Sequence, residues 1–155
     1  MIEKQRISEQ RIIDHLKNDF DITVDTLIFL PLSADMDVSA YKAQTHDKST
    51  YFIKLKQNHH SDINVTIQLL LHNTGIKETI SPIITKHGQR IQHVDDFILI
   101  VYPFIEGIDG SNYNLTNDQW ITLDKALRQV HEFNIPLPIK NQIKVIFTSY
   151  IPIYF

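Results

Sequence analysis

The sequence predicts an α+β fold with a five-stranded, mainly antiparallel sheet and flanking helices. Short runs rich in β-branched and aromatic residues are joined by brief polar turns, which favours an antiparallel meander. Longer stretches repeat apolar residues at helical spacing instead. The 155 residues, with 43% hydrophobic and 21% charged side chains, are typical of a single globular domain.

Local signals place the ends of the predicted helices. Ser8 and Thr116 are suited to cap the first and last helices, and Gly75 to end the second. We therefore predict, in chain order, a helix over Ser8–Phe20, strands over Val24–Leu32, Val38–Thr45 and Thr50–Lys56, a helix over Asp62–Asn73, strands over Ile80–Lys86 and Phe97–Tyr102, and a helix over Asn117–Phe133.

Two of these helices have an apolar side that we expect to be buried in a core. In the second helix the apolar positions are Ile63, Ile67, Leu70 and Leu71. In the last helix we assign Trp120, Leu123 and Leu127 to a core, with part of that apolar face exposed.

Charge and composition argue against several classes of partner. The net charge of −3 gives no basic field, which disfavours nucleic acid and membrane surfaces as partners. Cysteine is absent, which excludes disulfides and thiolate metal sites. His59, His60 and His72 lack a carboxylate at helical spacing, so no metal site is expected. Without a signal peptide or a run of about 18 apolar residues, we expect a cytoplasmic protein.

Lys54 is the candidate functional residue on which the rest of the interpretation depends. It lies in the strand Thr50–Lys56, where alternation places Ile53 and Leu55 on one face and Lys54 on the other. A lysine on an inner face is costly unless an anion meets it. The strand alone leaves two interpretations open, an exposed lysine on a half-solvated sheet or a phosphate-binding lysine.

The order and spacing of the elements resemble the N-terminal lobe of protein-kinase-like folds. More narrowly, the sequence resembles the aminoglycoside phosphotransferase family, over a range from about residue 5 to residue 140. No single motif is specific, and their order and spacing carry the resemblance. The stretches concerned are residues 51–56 (YFIKLK), 70–78 (LLHNTGIKE), 102–105 (YPFI), 114–116 (NLT), 119–120 (QW) and 127–132 (LRQVHE).

The resemblance implies a nucleotide site built from this lobe. Lys54 would contact the α and β phosphates of ATP or GTP, a task suited to a fixed ammonium. Tyr102 would line the back of the base pocket, while the Pro103 carbonyl and the Ile105 N–H would bind the base edge.

Two further residues have competing interpretations. Asp62 would either orient Lys54 or cap its own helix, since no glutamate is available there before Glu78. Ser33 would either donate a hydroxyl or N–H to phosphate or belong to an ordinary turn, because the loop lacks the glycines of protein kinases.

The residues that perform phosphate transfer in the family have no match here. The family has a histidine-x-aspartate loop followed by an asparagine in a second, larger lobe. The two stretches with that spacing, His60–Asp62 and His93–Asp95, precede the hinge and are followed five residues later by Ile67 and Ile100. We therefore expect magnesium only if a missing lobe is supplied.

These comparisons suggest a division of the chain. We expect a small lobe over residues 1–102, a hinge and linker over 103–115, the first helix of a missing large lobe over 116–142 and an apolar tail over 143–155. The tail consists mostly of β-forming residues and resembles neither a polar tail nor a helix. A reading frame broken near residue 143 is our hypothesis for it.

The sequence is compatible with three functions. The first is a truncated O-phosphotransferase for an aminocyclitol-type or similar small molecule, inactive alone. The second is one half of a split enzyme that binds a separate large-lobe chain. The third is a non-enzymatic module that self-associates or binds a partner through its last helix and tail.

Overall fold

The chain folds into one antiparallel sheet with helices packed on both faces. The computed structural model describes residues 7–31, 38–57, 63–107 and 114–150, with side chains as far as residue 143. The sheet order is β1-β2-β3-β5-β4, and every neighbouring pair is antiparallel. The elements are α1 (Glu9–Phe20), β1 (Val24–Leu30), β2 (Val38–Thr45), β3 (Thr50–Gln57), α2 (Ile63–Asn73), β4 (Gln92–Val94), β5 (Phe97–Pro103), α3 (Asn117–Glu132) and α4 (Leu137–Tyr150). This confirms the predicted fold class.

The fourth strand is not where the sequence predicted it. Residues 80–86 form no strand, and the three-residue strand Gln92–Val94 pairs with β5 instead. Pro82 removes one backbone donor from the predicted segment. Ile83 still donates a single hydrogen bond to the Val101 carbonyl, at 2.7 Å. The segment therefore runs beside β5 without forming a ladder.

Side-chain alternation divides the sheet into two faces, each covered by one helix. On one face, Ile53 and Leu55 of β3 are fully buried under α1. On the other, β5 packs against Val65 and Leu69 of α2. The α1-side core contains Ile7, Ile12, Leu16, Phe20, Ile22, Tyr41, Ala43, Ile53, Leu55, Val94, Leu99 and Val101, and the α2-side core contains Val65, Leu69, Ile98, Ile100 and Tyr102.

Helix α1 begins and ends as its sequence predicts. The Ser8 hydroxyl accepts a hydrogen bond from the Arg11 N–H at 3.3 Å, which satisfies one free donor of the first turn. At the other end Asp21 adopts a left-handed conformation with φ 58°, and the Ile22 N–H donates to the Leu16 carbonyl at 3.0 Å. Both ends of the helix are thus closed by local hydrogen bonds.

Helix α2 ends as predicted and buries two of its four predicted core residues, Ile63 and Leu71. Gly75 has φ +94°, a conformation that favours glycine, and its N–H donates to His72 at 3.0 Å. The buried residues of the helix are Ile63, Val65, Leu69 and Leu71. Ile67 and Leu70, predicted as core residues, are only half-buried. Both faces of this helix are apolar, so its sequence does not distinguish which one meets the sheet.

Helix α3 is well capped but packs little of its length. Thr116 and Gln119 form a capping box, with the Gln119 amide oxygen 2.9 Å from the Thr116 backbone N. The assignment of Trp120, Leu123 and Leu127 to a core is wrong, because each is more than 40% exposed and Ala126 is the buried residue of this helix. The part of the prediction that left some of this face exposed is correct.

Helix α4 corrects the prediction for the apolar tail. Residues 143–150, which were expected not to be helical, continue a helix that begins at Leu137. β-branched residues lower helix propensity only slightly, so a run of them does not exclude a helix. Residues 151–155 lie outside the described part of the chain. In the ranges that are described, no helix is long and apolar enough to cross a membrane.

The α1-side core should dominate stability. Ile53→Ala removes a side chain with no exposed surface, so we expect the free energy of unfolding to fall by about 2–5 kcal/mol. The matched control is Ile28→Ala in the same sheet, where the isoleucine is 56% exposed and the expected change is within about 0.5 kcal/mol. Urea unfolding measures both. Equal losses would contradict this division of the sheet.

Two buried tyrosines should respond to loss of the hydroxyl with opposite sign. Tyr41 Oη has no hydrogen-bond partner among the described residues, whereas Tyr102 Oη donates to Gln68 Oε1 at 2.8 Å. We expect Tyr41→Phe to raise the free energy of unfolding by about 1 kcal/mol and Tyr102→Phe to lower it by about 1 kcal/mol.

The same variants test a pH dependence. Burial, with a smaller contribution from Glu9, raises the pKa of Tyr41 from 10.0 to about 12. The folded chain therefore holds this proton more tightly than the unfolded chain, and stability should fall as the pH rises from 10.0 towards 12. Tyr41→Phe should lose less stability over that window in unfolding measured at several pH values. An identical alkaline loss in both proteins would contradict the assignment.

Candidate functional site

Lys54 lies on the α2-facing side of the sheet, at its centre. Its register partners are Ala40 in β2 and Ile100 in β5, and it is half-buried. Ile53 and Leu55, its neighbours in β3, are buried in the α1-side core. Because side chains alternate along a strand, the Lys54 side chain must lie on the α2 side. The alternation predicted from the sequence is therefore confirmed.

A cavity of about 400 Å³ brings together four of the six predicted site residues. We call it the hinge cavity, because the segment after β5 forms part of its wall. Ser33 and Asp62, the other two predicted residues, lie outside the described part of the chain. The lining residues are Phe52, Lys54, Gln68, Ile80, Tyr102, Pro103, Phe104 and Ile105.

The hinge cavity combines apolar walls with one cation. Phe52 and Tyr102 face each other across β3 and β5, with ring centroids 6.3 Å apart. Among its described lining residues, Lys54 is the one charged side chain. An apolar slot with aromatic residues and one cation on its wall suits a ligand that has a ring system and an anionic group.

A hydrogen bond between β5 and α2 forms the back of this cavity. Tyr102 Oη donates to Gln68 Oε1 at 2.8 Å, and burial raises the pKa of the Tyr102 phenol despite an opposing effect of Gln68. Gln68 was not among the predicted site residues, because nothing in the sequence pairs this glutamine with a tyrosine 34 residues away.

A second cavity of about 340 Å³ adjoins the first along α2. We call it the helix cavity, and it shares Lys54, Gln68 and Tyr102 with the hinge cavity. Lys56, two residues beyond Lys54 on the same face, is a further cation on its wall. Lys54 therefore stands at the junction of the two cavities, where its ammonium can serve an anion in either one. The remaining lining residues are Asn64, Val65, Ile67, Ile91, Ile98 and Ile100.

The segment after β5, residues 104–107, is held against the sheet by two neighbouring strands. The Phe104 N–H donates to the Thr50 carbonyl at 3.1 Å. Lys42 Nζ lies 2.5 Å from Glu106 Oε1 and 4.1 Å from the centroid of the Phe104 ring. Lys42 was not among the predicted site residues, because the sequence around a strand lysine does not indicate which distant residue it contacts.

Metal ligation finds no support in the described ranges. No group of three histidine, cysteine, aspartate or glutamate side chains there could hold a metal ion. His59 and His60, which the sequence analysis considered as ligands, lie outside those ranges.

Solved structures of phosphotransferases resemble this chain. No family model and no curated protein matches it. The crystal structure of spectinomycin phosphotransferase APH(9)-Ia in complex with ADP and spectinomycin is 42% identical, with a TM-score of 0.83 over 89% of this chain and 42% of that chain. An AMP-bound complex of the same enzyme is 36% identical, with a TM-score of 0.77 over 96% of this chain and 48% of that chain.

A third structure supports the fold alone. The amicoumacin kinase hAmiN in complex with AMP-PNP, Ca²⁺ and Ami is 17% identical, with a TM-score of 0.57 over 95% of this chain and 49% of that chain. The chain thus spans less than half the length of each of these three neighbours. Its five-stranded sheet and flanking helices have an aminoglycoside phosphotransferase-like fold, that of a kinase-like N-terminal lobe.

Proposed function

We propose that this chain forms the nucleotide-binding lobe of an ATP-dependent phosphotransferase that modifies a hydroxyl of an aminoglycoside-like or spectinomycin-like small molecule. The observation that carries the proposal is the hinge cavity, in which Lys54, Tyr102, Pro103 and Ile105 line one space of about 400 Å³. Two similar structures contain ADP or AMP, which supports a nucleotide as the ligand.

The base and the phosphates have different places in this proposal. The base lies in the slot between Phe52 and the segment after β5, with the Pro103 carbonyl and the Ile105 N–H at its edge. The phosphates lie at Lys54, whose ammonium supplies charge at a fixed place on a strand. Ser33 and Asp62 are proposed as additional contacts, to phosphate and to Lys54 respectively.

Phosphate transfer needs residues that this sequence does not match. The two His-x-Asp stretches precede the hinge, and one of them, His93–Asp95, runs from β4 into the turn before β5, on the edge of the sheet and separated from β3 by β5. We propose that this part of the enzyme binds the nucleotide, and that the acceptor site and the magnesium ligands lie in a lobe outside these 155 residues.

Nucleotide binding should be visible as thermal stabilisation that depends on Lys54. We expect Mg-ATP or Mg-GTP at a hundred times its dissociation constant to stabilise the wild type by about 2.7 kcal/mol. Lys54→Ala should bind more weakly and melt with a smaller shift at the same nucleotide concentration. Lys17→Ala, which removes a lysine from α1 on the opposite side of the sheet, should retain the wild-type shift.

The comparison of nucleotides identifies the ligand further. A larger shift with Mg-ATP than with Mg-GTP would assign adenine to the slot, and the reverse would assign guanine. If neither nucleotide changes the melting of the wild type, the proposed function is wrong.

A second candidate function rests on the apolar face of α3. On one side of the helix, Trp120 and Leu127 are each at least half exposed, and Leu123 and Val130 are exposed to a lesser degree. Monomeric proteins rarely expose so many large apolar side chains together. The second candidate is therefore a non-enzymatic module that self-associates through α3.

Self-association through α3 should be removable by mutation. If this candidate is right, sedimentation velocity should give a mass that rises with protein concentration, and Leu127→Glu should return the chain to a monomer. Lys125→Glu, an exposed position on the same helix outside that apolar face, is the control for the added charge and should keep the wild-type behaviour. A wild-type monomer at every concentration would exclude this candidate.

A further inference from the structure

Lys42 connects the middle of β2 to the segment that follows β5. Its ammonium lies 2.5 Å from Glu106 Oε1 and 4.1 Å from the centroid of the Phe104 ring. Ile105, between these two residues, lines the hinge cavity. One side chain therefore contacts the residues on both sides of a wall residue of the site.

The lysine reaches this segment across the face that carries Lys54. The register places Lys42 beside Phe52, and Phe52 beside Tyr102, in one row across the sheet. Lys54 belongs to the next row, about 7 Å further along the strands. Lys42 thus belongs to the row that ends at the hinge.

The other attachments of this segment leave Ile105 poorly held. The Phe104 N–H is bonded to Thr50 at 3.1 Å, which fixes the start of the segment. Ile105 itself is 62% exposed, and the Glu106 side chain is 73% exposed. In the described part of the chain, Lys42 is the hydrogen-bond partner of the Glu106 carboxylate. Without it, Phe104 would be the point at which other described residues hold the segment.

We propose that Lys42 is a positioning residue for the base of the nucleotide. By holding Phe104 and Glu106, it keeps the backbone of Ile105 at the edge of the slot, where the base docks. This inference rests on the proposed nucleotide-binding function. Lys42 acts on the base through the hinge and makes no contact with the phosphates, which belong to Lys54.

Loss of the Lys42 contacts should affect the affinity for nucleotide more than the stability of the free protein. The Lys42 and Glu106 side chains are 26% and 73% exposed, and ion pairs that reach solvent contribute little to folding, so loss of this pair should lower the melting temperature of the free protein only slightly. If the segment loses its fixed position in the variant, it must be ordered when the nucleotide binds, and that ordering lowers the affinity. A change in nucleotide affinity at constant stability is therefore the expected sign of a positioning role.

The experiment compares adenosine with Mg-ATP in titrations of the wild type and its variants. Lys42→Met should weaken both ligands by the same factor, roughly fivefold to tenfold, so that the ratio of their affinities stays constant. Lys42→Arg keeps a donor for Glu106 and a cation for Phe104, and should restore most of the affinity. Lys54→Ala should weaken Mg-ATP far more than adenosine.

A matched control removes a similar ion pair elsewhere. Arg128→Met breaks the exposed 2.8 Å pair between Arg128 and Glu132 on α3 and should leave both affinities unchanged. In a double-mutant cycle, Lys42→Met combined with Glu106→Gln should lose little more than Lys42→Met alone, because both changes remove the same contact.

The outcomes distinguish this inference from the proposed function. If Lys42→Met leaves adenosine affinity unchanged, or weakens Mg-ATP much more than adenosine, Lys42 does not position the base and the inference is overturned. Binding of nucleotide that depends on Lys54 would still support the proposed function in that case. If the wild type binds neither ligand, both are overturned.

Discussion

The structure depends on the strict alternation of side chains in β3. Ile53 and Leu55 have no exposed surface and anchor one core, so the residue between them must point into the opposite half of the molecule. A shift of one residue would bury Lys54 under α1 and expose both apolar side chains, a change that the fold cannot tolerate. The place of the candidate ligand-binding lysine is thus set by hydrophobic packing on the opposite side of the sheet.

What the sequence predicted well depended on local or periodic signals. The caps at Ser8 and Thr116, the stop at Gly75 and the faces of β3 each follow from a few neighbouring residues. The failures had non-local causes. Residues 80–86 have strand-like composition, but Ile83 makes one hydrogen bond to β5 where a full ladder of strand hydrogen bonds was expected. The exposure of Trp120 depends on what packs against α3, which the helix sequence does not specify.

The residues of the candidate site also differ in whether a local pattern or a distant contact identifies them. Lys54, Tyr102, Pro103 and Ile105 could be named in advance because a family pattern assigns their order along the chain, and the structure places all four around one cavity. Gln68 and Lys42 could not, because each acts through a partner far away in sequence. The Tyr102–Gln68 bond joins residues 34 apart, and the Lys42–Glu106 pair joins residues 64 apart. Each pair comes into contact only when the sheet, α2 and the segment after β5 have folded together.

The bond between Tyr102 and Gln68 has a consequence for the size of any ligand. It stands where the hinge cavity and the helix cavity meet, so a molecule confined to the first, about 400 Å³, leaves it intact. A molecule that broke this bond would leave the buried Tyr102 phenol without its acceptor, so it would have to offer an acceptor of its own to bind without that cost.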